Sequence, residues 1–274
     1  MSIQDLIYPK LPDFAQHLAV SIYGLYWRRL RFGPGYSQFL ADYIKRETFH
    51  SQDWENWQNR ELQKILDSAL SSPYYSENWT KDQKNAAIAN RLMDLPLLDK
   101  EPLRSSPKAF VRTDIRPRRK ISFHTSGSTG TPIESIWTIP EIRKSIALRE
   151  ARSLRWAGVS FQEPRATFSG RLVEPDPASN GPFYRFNFAE NQVYFSPFHL
   201  RPDTAEMYVR ALEKHHVRWM TGYAVSYYLL AKFILEKNIN VPTSIKAIIT
   251  TSEKVTPEMR RIMERAFHCK VFEE

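Results

Sequence analysis

Residues 121–132 of this chain read Ile121-Ser122-Phe123-His124-Thr125-Ser126-Gly127-Ser128-Thr129-Gly130-Thr131-Pro132. The run 126–131 contains only Ser, Thr and Gly, whose side chains cannot fill a core. Apolar residues precede this run, and Ile133, Ile136 and Trp137 follow it. The pattern predicts two strands joined by a loop of backbone N–H groups and hydroxyls, whose glycines let it wrap closely around an anion. These residues alone leave two interpretations open, a phosphate-binding loop and a flexible turn.

Composition bounds the class of protein. The chain has 274 residues, which suits one large domain or two small ones. A hydrophobic content of 42% and an aromatic content of 13% indicate a packed core rather than global disorder. The net charge of +9 favours an anionic partner, such as a nucleotide, a CoA-like thiol, an acidic membrane or a nucleic acid. Several of these charges directly precede the loop, where a solvated basic linker explains them equally well: Arg112, Arg116, Arg118, Arg119 and Lys120.

The cysteine content and the apolar segments indicate a location. A single cysteine, Cys269, excludes an internal disulfide and predicts a reducing compartment. The apolar stretch 18–27 is too short to span a bilayer, and it lacks the features of a signal peptide. We therefore expect a soluble, cytoplasmic protein. The segment 18–31 combines aromatics with arginines, so it either rests on a membrane surface or packs as a helix on the domain.

The predicted secondary structure changes at the loop. Residues 1–120 are predicted to be helical and irregular, whereas residues 121–274 alternate strands with helices. Strands are predicted at 165–169, 193–195, 217–220, 245–250 and 270–272. Helices are predicted at 139–158, from a cap at Asp203/Thr204 to His216, at 224–237 and from Pro257. This alternation predicts an α/β fold with a mostly parallel sheet, which binds ligands beyond the carboxyl ends of its strands. Gly222-Tyr223 and Thr250-Thr251-Ser252-Glu253 lie at such ends.

Several familiar motifs do not occur in the sequence. Gly127 and Gly130 are too close for a Walker loop, and no lysine follows them. The dinucleotide fingerprint, the His-Glu-x-x-His metal motif, the Gly-x-Ser-x-Gly elbow and RNA-binding signatures do not occur either. His215-His216 is explained more simply as a polar helix end. We therefore predict neither a protein-bound metal site nor a nucleic-acid partner.

The loop resembles a known motif. Thr125-Ser126-Gly127-Ser128-Thr129-Gly130-Thr131-Pro132 is similar to the phosphate loop of adenylate-forming enzymes, and most similar to that of the phenylacetate–coenzyme A ligase family in its CapK-like branch. That branch is linked to capsular polysaccharide synthesis. Further segments match in the same order, at residues 18–33, 62–75, 95–100, 222–223, 229–231, 251–253 and 257–260.

The resemblance implies a two-step ligase. A small-molecule carboxylate attacks Mg-ATP to give an acyl-adenylate and pyrophosphate, and a thiol such as CoA then takes the acyl group. ATP, Mg²⁺ and CoA are the implied cofactors, although a carrier thiol or a sugar amine is an open alternative acceptor. The residues implied to bind the β- and γ-phosphates are Thr125, Ser126, Gly127, Ser128, Thr129, Gly130 and Thr131.

Other positions follow from the same resemblance. Ser252 and Glu253 match the adenine region, where the alternative is the ordinary start of a helix. Phe198, His199 and Tyr223 match positions near the acyl pocket, where the alternative is an ordinary core or surface role. The sequence does not specify the acyl substrate or the oligomeric state.

The sequence also departs from the family pattern. Ile133-Glu134 stands where many relatives carry a lysine. The chain stops where the family continues into a Mg-binding glutamate, a ribose-binding aspartate and a mobile C-terminal domain with the catalytic lysine. Residues 1–120 are therefore predicted to be the helical N-terminal part of the large domain, and 121–274 its truncated α/β nucleotide-binding part, without the mobile domain.

The missing pieces predict that this chain alone does not complete adenylation, an expectation that measurable ATP–pyrophosphate exchange would contradict. Two alternatives remain open. One is a non-catalytic nucleotide-binding protein. The other is an interaction protein of capsular or exopolysaccharide biosynthesis.

Overall fold

A computed structural model describes residues 8–113, 120–125 and 132–274 of the chain. The chain forms two compact units: the first combines residues up to Leu40 with Ile146–Glu274, and the second is Ala41–Ser145. The predicted division at residue 120 coincides with neither boundary, because the N-terminal segment packs on strands far along the chain. The predicted roles of residues 1–120 and 121–274 stay predictions.

The described residues contain both helices and strands. The α-helices are α1 (Asp13–Arg31), α2 (Tyr36–Lys45), α3 (Ser51–Leu70), α4 (Pro73–Asn78), α5 (Lys81–Ile88), α6 (Lys100–Ser105), α7 (Ile139–Arg149), α8 (Ala205–Lys214), α9 (Ala224–Lys237) and α10 (Pro257–Phe267). The strands are β1 (Lys120–His124), β2 (Glu134–Thr138), β3 (Arg165–Phe168), β4 (Tyr184–Asn187), β5 (Gln192–Phe195), β6 (Trp219–Tyr223), β7 (Ala247–Thr251) and β8 (Lys270–Glu273).

The main sheet lies in the first unit. Its strand order is β4-β5-β3-β6-β7-β8, and neighbouring strands are parallel except for the antiparallel β4–β5 pair. The predicted mostly parallel α/β sheet is therefore confirmed. Strand β4 was not predicted, because its four residues give only a short pattern.

Helices α8, α9 and α10 bury their apolar faces against this sheet. Helix α10 follows a sequence signal: it begins where the Thr256 hydroxyl accepts a hydrogen bond from the Met259 N–H, and Pro257 occupies its first turn. The fully buried side chains between helices and sheet include Leu212, Met220, Leu230, Ile248 and Met263.

Helix α1 packs on the edge strand β4, which lies more than 150 residues later in the chain. Gly24 permits this contact, because a Cβ atom there would lie 2.2 Å from the Asn187 amide oxygen. The Ser21 hydroxyl accepts a hydrogen bond from the Phe188 N–H at 3.1 Å. The segment 18–31 therefore packs as a helix on its unit, with one face buried and the other exposed. None of the described helices is both long enough and apolar enough to cross a membrane.

The second unit contains helices and the hairpin β1–β2. Helix α3 carries tryptophans and leucines at three- and four-residue steps, as in an amphipathic helix, and it ends at Leu70. Pro73 is the first residue of α4, since proline fits the first turn of a helix. Strands β1 and β2 pair antiparallel, with Lys120 opposite Thr138 and His124 opposite Glu134, which confirms the predicted hairpin.

Candidate functional site

A cavity of about 340 Å³ opens at the carboxyl ends of the parallel strands of the first unit. The ends of β3, β6 and β7 contribute hydroxyl groups to its wall, from Ser169, Thr221, Tyr223, Thr251 and Ser252. Ligand sites in open α/β sheets occur at this edge because the strand ends leave a crevice between the connecting loops. The cavity is therefore the candidate functional site of this unit.

Two glycines shape the backbone at this edge. Gly222 has a φ of +125°, and a Cβ atom there would lie 1.8 Å from the Phe168 carbonyl oxygen. Only glycine lets β6 pass β3 at this distance. A Cβ atom on Gly170 would lie 3.0 Å from the Tyr223 hydroxyl oxygen, so that phenol sits directly against the loop after β3.

The hydroxyl of Ser169 is a free polar group. Its oxygen is buried and has no hydrogen-bond partner among the described residues. The neighbouring Thr167 hydroxyl, by contrast, accepts a hydrogen bond from the Gln192 side-chain amide at 2.7 Å. Because buried polar groups are nearly always paired, the unpaired Ser169 hydroxyl indicates a place for a ligand or a water molecule.

Guanidinium groups give the cavity a positive wall. Arg31, Arg149, Arg165 and Arg171 all line it. Arg165 is buried and donates to the Phe161 carbonyl at 3.0 Å, to the Glu190 carbonyl at 2.9 Å and to the Gln192 side chain at 2.7 Å. Burial lowers the pKa of Arg165, and the nearby Glu190 carboxylate opposes that shift. Arg165 is therefore part of the rigid frame of the cavity.

The other arginines differ in their partners. Arg31 lies 3.0 Å from Glu190, and Arg149 forms a two-pronged ion pair with Glu274. Arg171 lies over the Tyr194 ring, 5.0 Å from its centroid. Among the described residues, no carboxylate pairs with Arg171.

Ser252 and Glu253 occupy the turn between β7 and α10, as the sequence predicts. Ser252 lines the cavity with a left-handed backbone, at a φ of +67°, which is uncommon for a residue other than glycine. The Glu253 carboxylate accepts a hydrogen bond from the Val225 N–H at 2.9 Å, and so stabilises the start of α9. A contact of either residue with adenine stays a prediction.

The predicted acyl-pocket residues lie in different environments. Tyr223 lines the cavity. His199 is buried elsewhere in the unit, with its ring nitrogens 2.8 Å from the Ser196 hydroxyl and 2.8 Å from the Asp176 carbonyl, and its ring stacked on Phe183. Phe198 is exposed, and neither Phe198 nor His199 lines this cavity. The structure therefore brings Tyr223 together with Ser252 and places the Phe198-His199 pair apart from them.

The phosphate-loop prediction concerns the second unit. Thr125 follows β1, and it pairs with Ile133 through two hydrogen bonds: the Thr125 N–H donates to the Ile133 carbonyl at 3.1 Å, and the Ile133 N–H donates to the Thr125 hydroxyl at 3.0 Å. These bonds close the hairpin at the base of the loop. The loop residues Ser126, Gly127, Ser128, Thr129, Gly130 and Thr131 lie outside the described residues, and their binding of phosphates stays a prediction.

Sequence reasoning missed Ser169 and Arg171. The available signal was the Ser169-Gly170 pair at the carboxyl end of the predicted strand 165–169, where ligand sites form. Within residues 8–113, 120–125 and 132–274, no three His, Cys, Asp or Glu side chains are grouped so that they could hold a metal ion.

The fold is similar to that of known ligases. It superimposes on 2-hydroxyisobutyryl-CoA ligase in an open conformation with 2-HIB-AMP and CoA, with a TM-score of 0.56, 18% identity and coverage of 84% of this chain and 55% of that one. The same ligase in its thioesterification state gives a TM-score of 0.58 at 18% identity, over 84% of this chain and 50% of that one. The chain thus has the fold of part of an adenylate-forming acyl-CoA ligase, and it spans about half the length of these ligases.

The sequence comparison gives a particular relative. The chain is 26% identical to the protein CapK of Staphylococcus aureus over 271 residues, which cover 97% of this chain and 58% of CapK. No family model matches the chain. The similarity to CapK confirms the resemblance to the CapK-like branch that the loop motif and the ordered segments indicated.

Proposed function

We propose that this chain forms the nucleotide- and carboxylate-binding part of an ATP-dependent acid–thiol ligase. The observation that carries this proposal is the cavity at the carboxyl ends of β3, β6 and β7, found in a chain with the ligase fold. Its hydroxyl and guanidinium lining suits a polar, anionic ligand rather than a purely apolar one. The loop motif at 125–131 supports the same proposal from the sequence.

The proposed reaction has two steps. A carboxylate oxygen attacks the α-phosphorus of ATP, and the bond to pyrophosphate breaks to give an acyl-adenylate. A thiolate then attacks the acyl carbon, and AMP leaves with the electron pair of the broken C–O bond. In this scheme the loop 125–131 would hold the departing pyrophosphate, Ser252 would lie near the nucleotide, and the cavity would hold the acyl part. Mg²⁺ would be held largely by phosphate oxygens and water.

Blocking the loop tests nucleotide binding. We expect Gly127→Trp to weaken the binding of Mg-ATP at least about tenfold, because an indole would fill the space that phosphate oxygens need. Isothermal titration calorimetry of the full chain with Mg-ATP measures this. Gly158→Trp is the control, since nothing lies within 4 Å of a Cβ atom at that exposed glycine and it lies outside the candidate site.

The outcomes separate the open alternatives. Equal ATP affinity in Gly127→Trp and the parent chain would contradict the loop assignment, and no ATP binding by the parent chain would contradict the proposed function. ATP binding with ATP–pyrophosphate exchange, measured with a panel of carboxylates, would establish an active ligase. Binding without exchange on the same panel would favour a non-catalytic nucleotide-binding protein.

A second proposal concerns α1 and a membrane surface. Its outward face carries an apolar stripe at helical spacing, and the exposed fractions of these side chains range from 58% to 75%: Phe14, Leu18, Ile22 and Leu25. Its last turns carry the exposed residues Arg28 and Arg29. An apolar stripe that ends in basic residues matches a helix that lies in the interface of an anionic membrane. We propose peripheral contact with such a membrane through this stripe.

Liposome flotation tests the stripe. We expect the chain to float with vesicles that contain phosphatidylserine at low salt, and Leu18→Glu with Ile22→Glu to abolish this, because two carboxylates would enter the apolar interface. The control is Met93→Glu with Leu97→Glu, which makes the same charge change at side chains that are 93% and 99% exposed outside α1. Absence of flotation by the parent chain, or equal loss in both double variants, would contradict this proposal.

A further inference from the structure

Among the described residues, the guanidinium groups at the cavity outnumber the carboxylates that pair with them. Four guanidinium groups line it, and the carboxylates that pair with them are Glu190 and Glu274. Glu190 serves both Arg31 and Arg165, and Glu274 serves Arg149. A neutral or purely aliphatic acyl group would form no charge-assisted contact with this surplus, whereas an anionic group would pair with it.

Part of this surplus is on Arg171, an exposed residue that lines the cavity. The guanidinium of Arg171 lies over the Tyr194 ring, 5.0 Å from the ring centroid, and this contact orients it without neutralising it. No described carboxylate forms an ion pair with it. A guanidinium in this position presents its N–H groups as a fork that matches a carboxylate.

A second donor lies two residues earlier in the same loop. The Ser169 hydroxyl is buried, lines the cavity and has no partner among the described residues. Gly170, between these two residues, has no side chain that could separate them from a ligand. The Arg171 guanidinium and the unpaired Ser169 hydroxyl lie on one loop, and both can donate hydrogen bonds to an anionic group of a ligand.

We infer that the acyl substrate carries a second acidic group besides the carboxylate that is activated, and that Arg171 and Ser169 bind this second group. The substrate class is therefore a dicarboxylic acid, or a carboxylic acid that carries another anionic group, and not a fatty or aromatic monocarboxylic acid. This inference rests on the proposed function, because only there does the cavity hold the acyl part. The pyrophosphate of ATP is assigned to a different segment, the loop 125–131.

Matched acids test the inference on the full chain. Calorimetric titration compares hexanoate with adipate and butyrate with succinate, pairs of equal carbon number that differ by one carboxylate. We expect the diacid of at least one pair to bind at least about tenfold more tightly, the effect of one charge-assisted contact. Arg171→Gln should remove this preference, and Ser169→Ala should reduce it. Arg201→Gln should leave it unchanged, since Arg201 pairs with Asp203 outside the cavity.

The outcomes are distinct from those of the ATP experiment. Equal affinity for monoacids and diacids in both pairs, or no binding of any of the four acids, would overturn the inference even if ATP binds. Equal weakening of monoacid and diacid in Arg171→Gln would also overturn it, because Arg171 would then bind the activated carboxylate. A preference for a diacid that depends on Arg171, in a chain that does not bind ATP, would contradict the proposed function and leave the diacid site standing.

Discussion

Gly222→Ala is expected to lower the free energy of unfolding by about 4 kcal/mol or more, among the largest effects of a single substitution. The added methyl carbon would lie 1.8 Å from the Phe168 carbonyl oxygen and 2.8 Å from its carbonyl carbon. Both are backbone atoms of β3, so no rotation of a side chain can relieve the clash. The backbone of Gly222 also has a φ of +125°, which an alanine adopts only with strain. Denaturant unfolding followed by circular dichroism measures the loss.

Gly158→Ala separates the two causes. Gly158 also has a positive φ, +71°, but nothing lies within 4 Å of a Cβ atom there. Its substitution therefore carries the backbone strain alone, about 1–2 kcal/mol. Similar losses in the two variants would contradict the steric argument, because the close approach of β6 to β3 would then contribute nothing. If Gly222→Ala does not fold and Gly158→Ala does, the difference still supports the steric argument, because both variants carry backbone strain and only Gly222→Ala adds a clash.

The position of Gly222 connects stability with the candidate site. The residue lies opposite Phe168 in the β3–β6 pair, at the strand ends where the cavity opens. Any separation of β6 from β3 that accommodates a methyl group would also move Tyr223, at the end of β6, relative to Ser169, which follows β3. A Gly222→Ala chain that still folds is therefore expected to lose its selectivity between matched acids.

Local patterns explain which parts of the fold were predictable. The alternation of apolar runs with helical spacing identified β3, β5, β6, β7 and β8, because each of these strands is bounded by polar or helical sequence. The Thr256-Pro257 pair marked the start of α10, because a cap and a first-turn proline are local signals. The edge of the sheet where the cavity lies followed from the parallel arrangement alone.

Contacts between distant segments were not predictable. The pairing of α1 with β4 depends on the fit of Gly24 against Asn187, which no local pattern encodes. The same holds for the division into units, since the first unit joins two separate ranges of the chain. His199 is the opposite case. The sequence suggested a functional role for this histidine, whereas its burial and its two hydrogen bonds are visible only in the structure.

Arg185 joins α1 to the sheet through a buried set of polar contacts. Its side chain is 1% exposed and donates to the Gln16 side chain at 2.7 Å and to the carbonyls of Pro182 and Tyr184 at 2.8 Å. It also forms ion pairs with Asp13 at 3.0 Å and Glu174 at 2.9 Å. Buried charges are tolerated only when they are paired and hydrogen-bonded, so this arrangement depends on every partner remaining in place.

Arg185→Met is expected to lower the free energy of unfolding by about 3–5 kcal/mol. Methionine fills much of the same volume, so the loss reports the polar contacts rather than a cavity. The buried Glu174 carboxylate would lose its countercharge, and Gln16 would lose its donor. Denaturant unfolding measures the total, and hydrogen–deuterium exchange should show faster exchange in α1, whose first turns Arg185 holds through Asp13 and Gln16.

Two comparisons make this expectation specific. Arg210→Met removes an arginine whose ion pair with Glu206 is exposed and spans one helical turn, so it should cost no more than about 0.5 kcal/mol. Adding Glu174→Gln to Arg185→Met should recover part of the loss, because the unpaired charge is then removed. A double variant as unstable as Arg185→Met would show that the uncompensated carboxylate is not the source of the loss. Unchanged exchange in α1 would show that Arg185 does not hold this helix to β4. The helix would then be held by its other contacts, such as the hydrogen bonds of His17 and Ser21 and the close approach at Gly24.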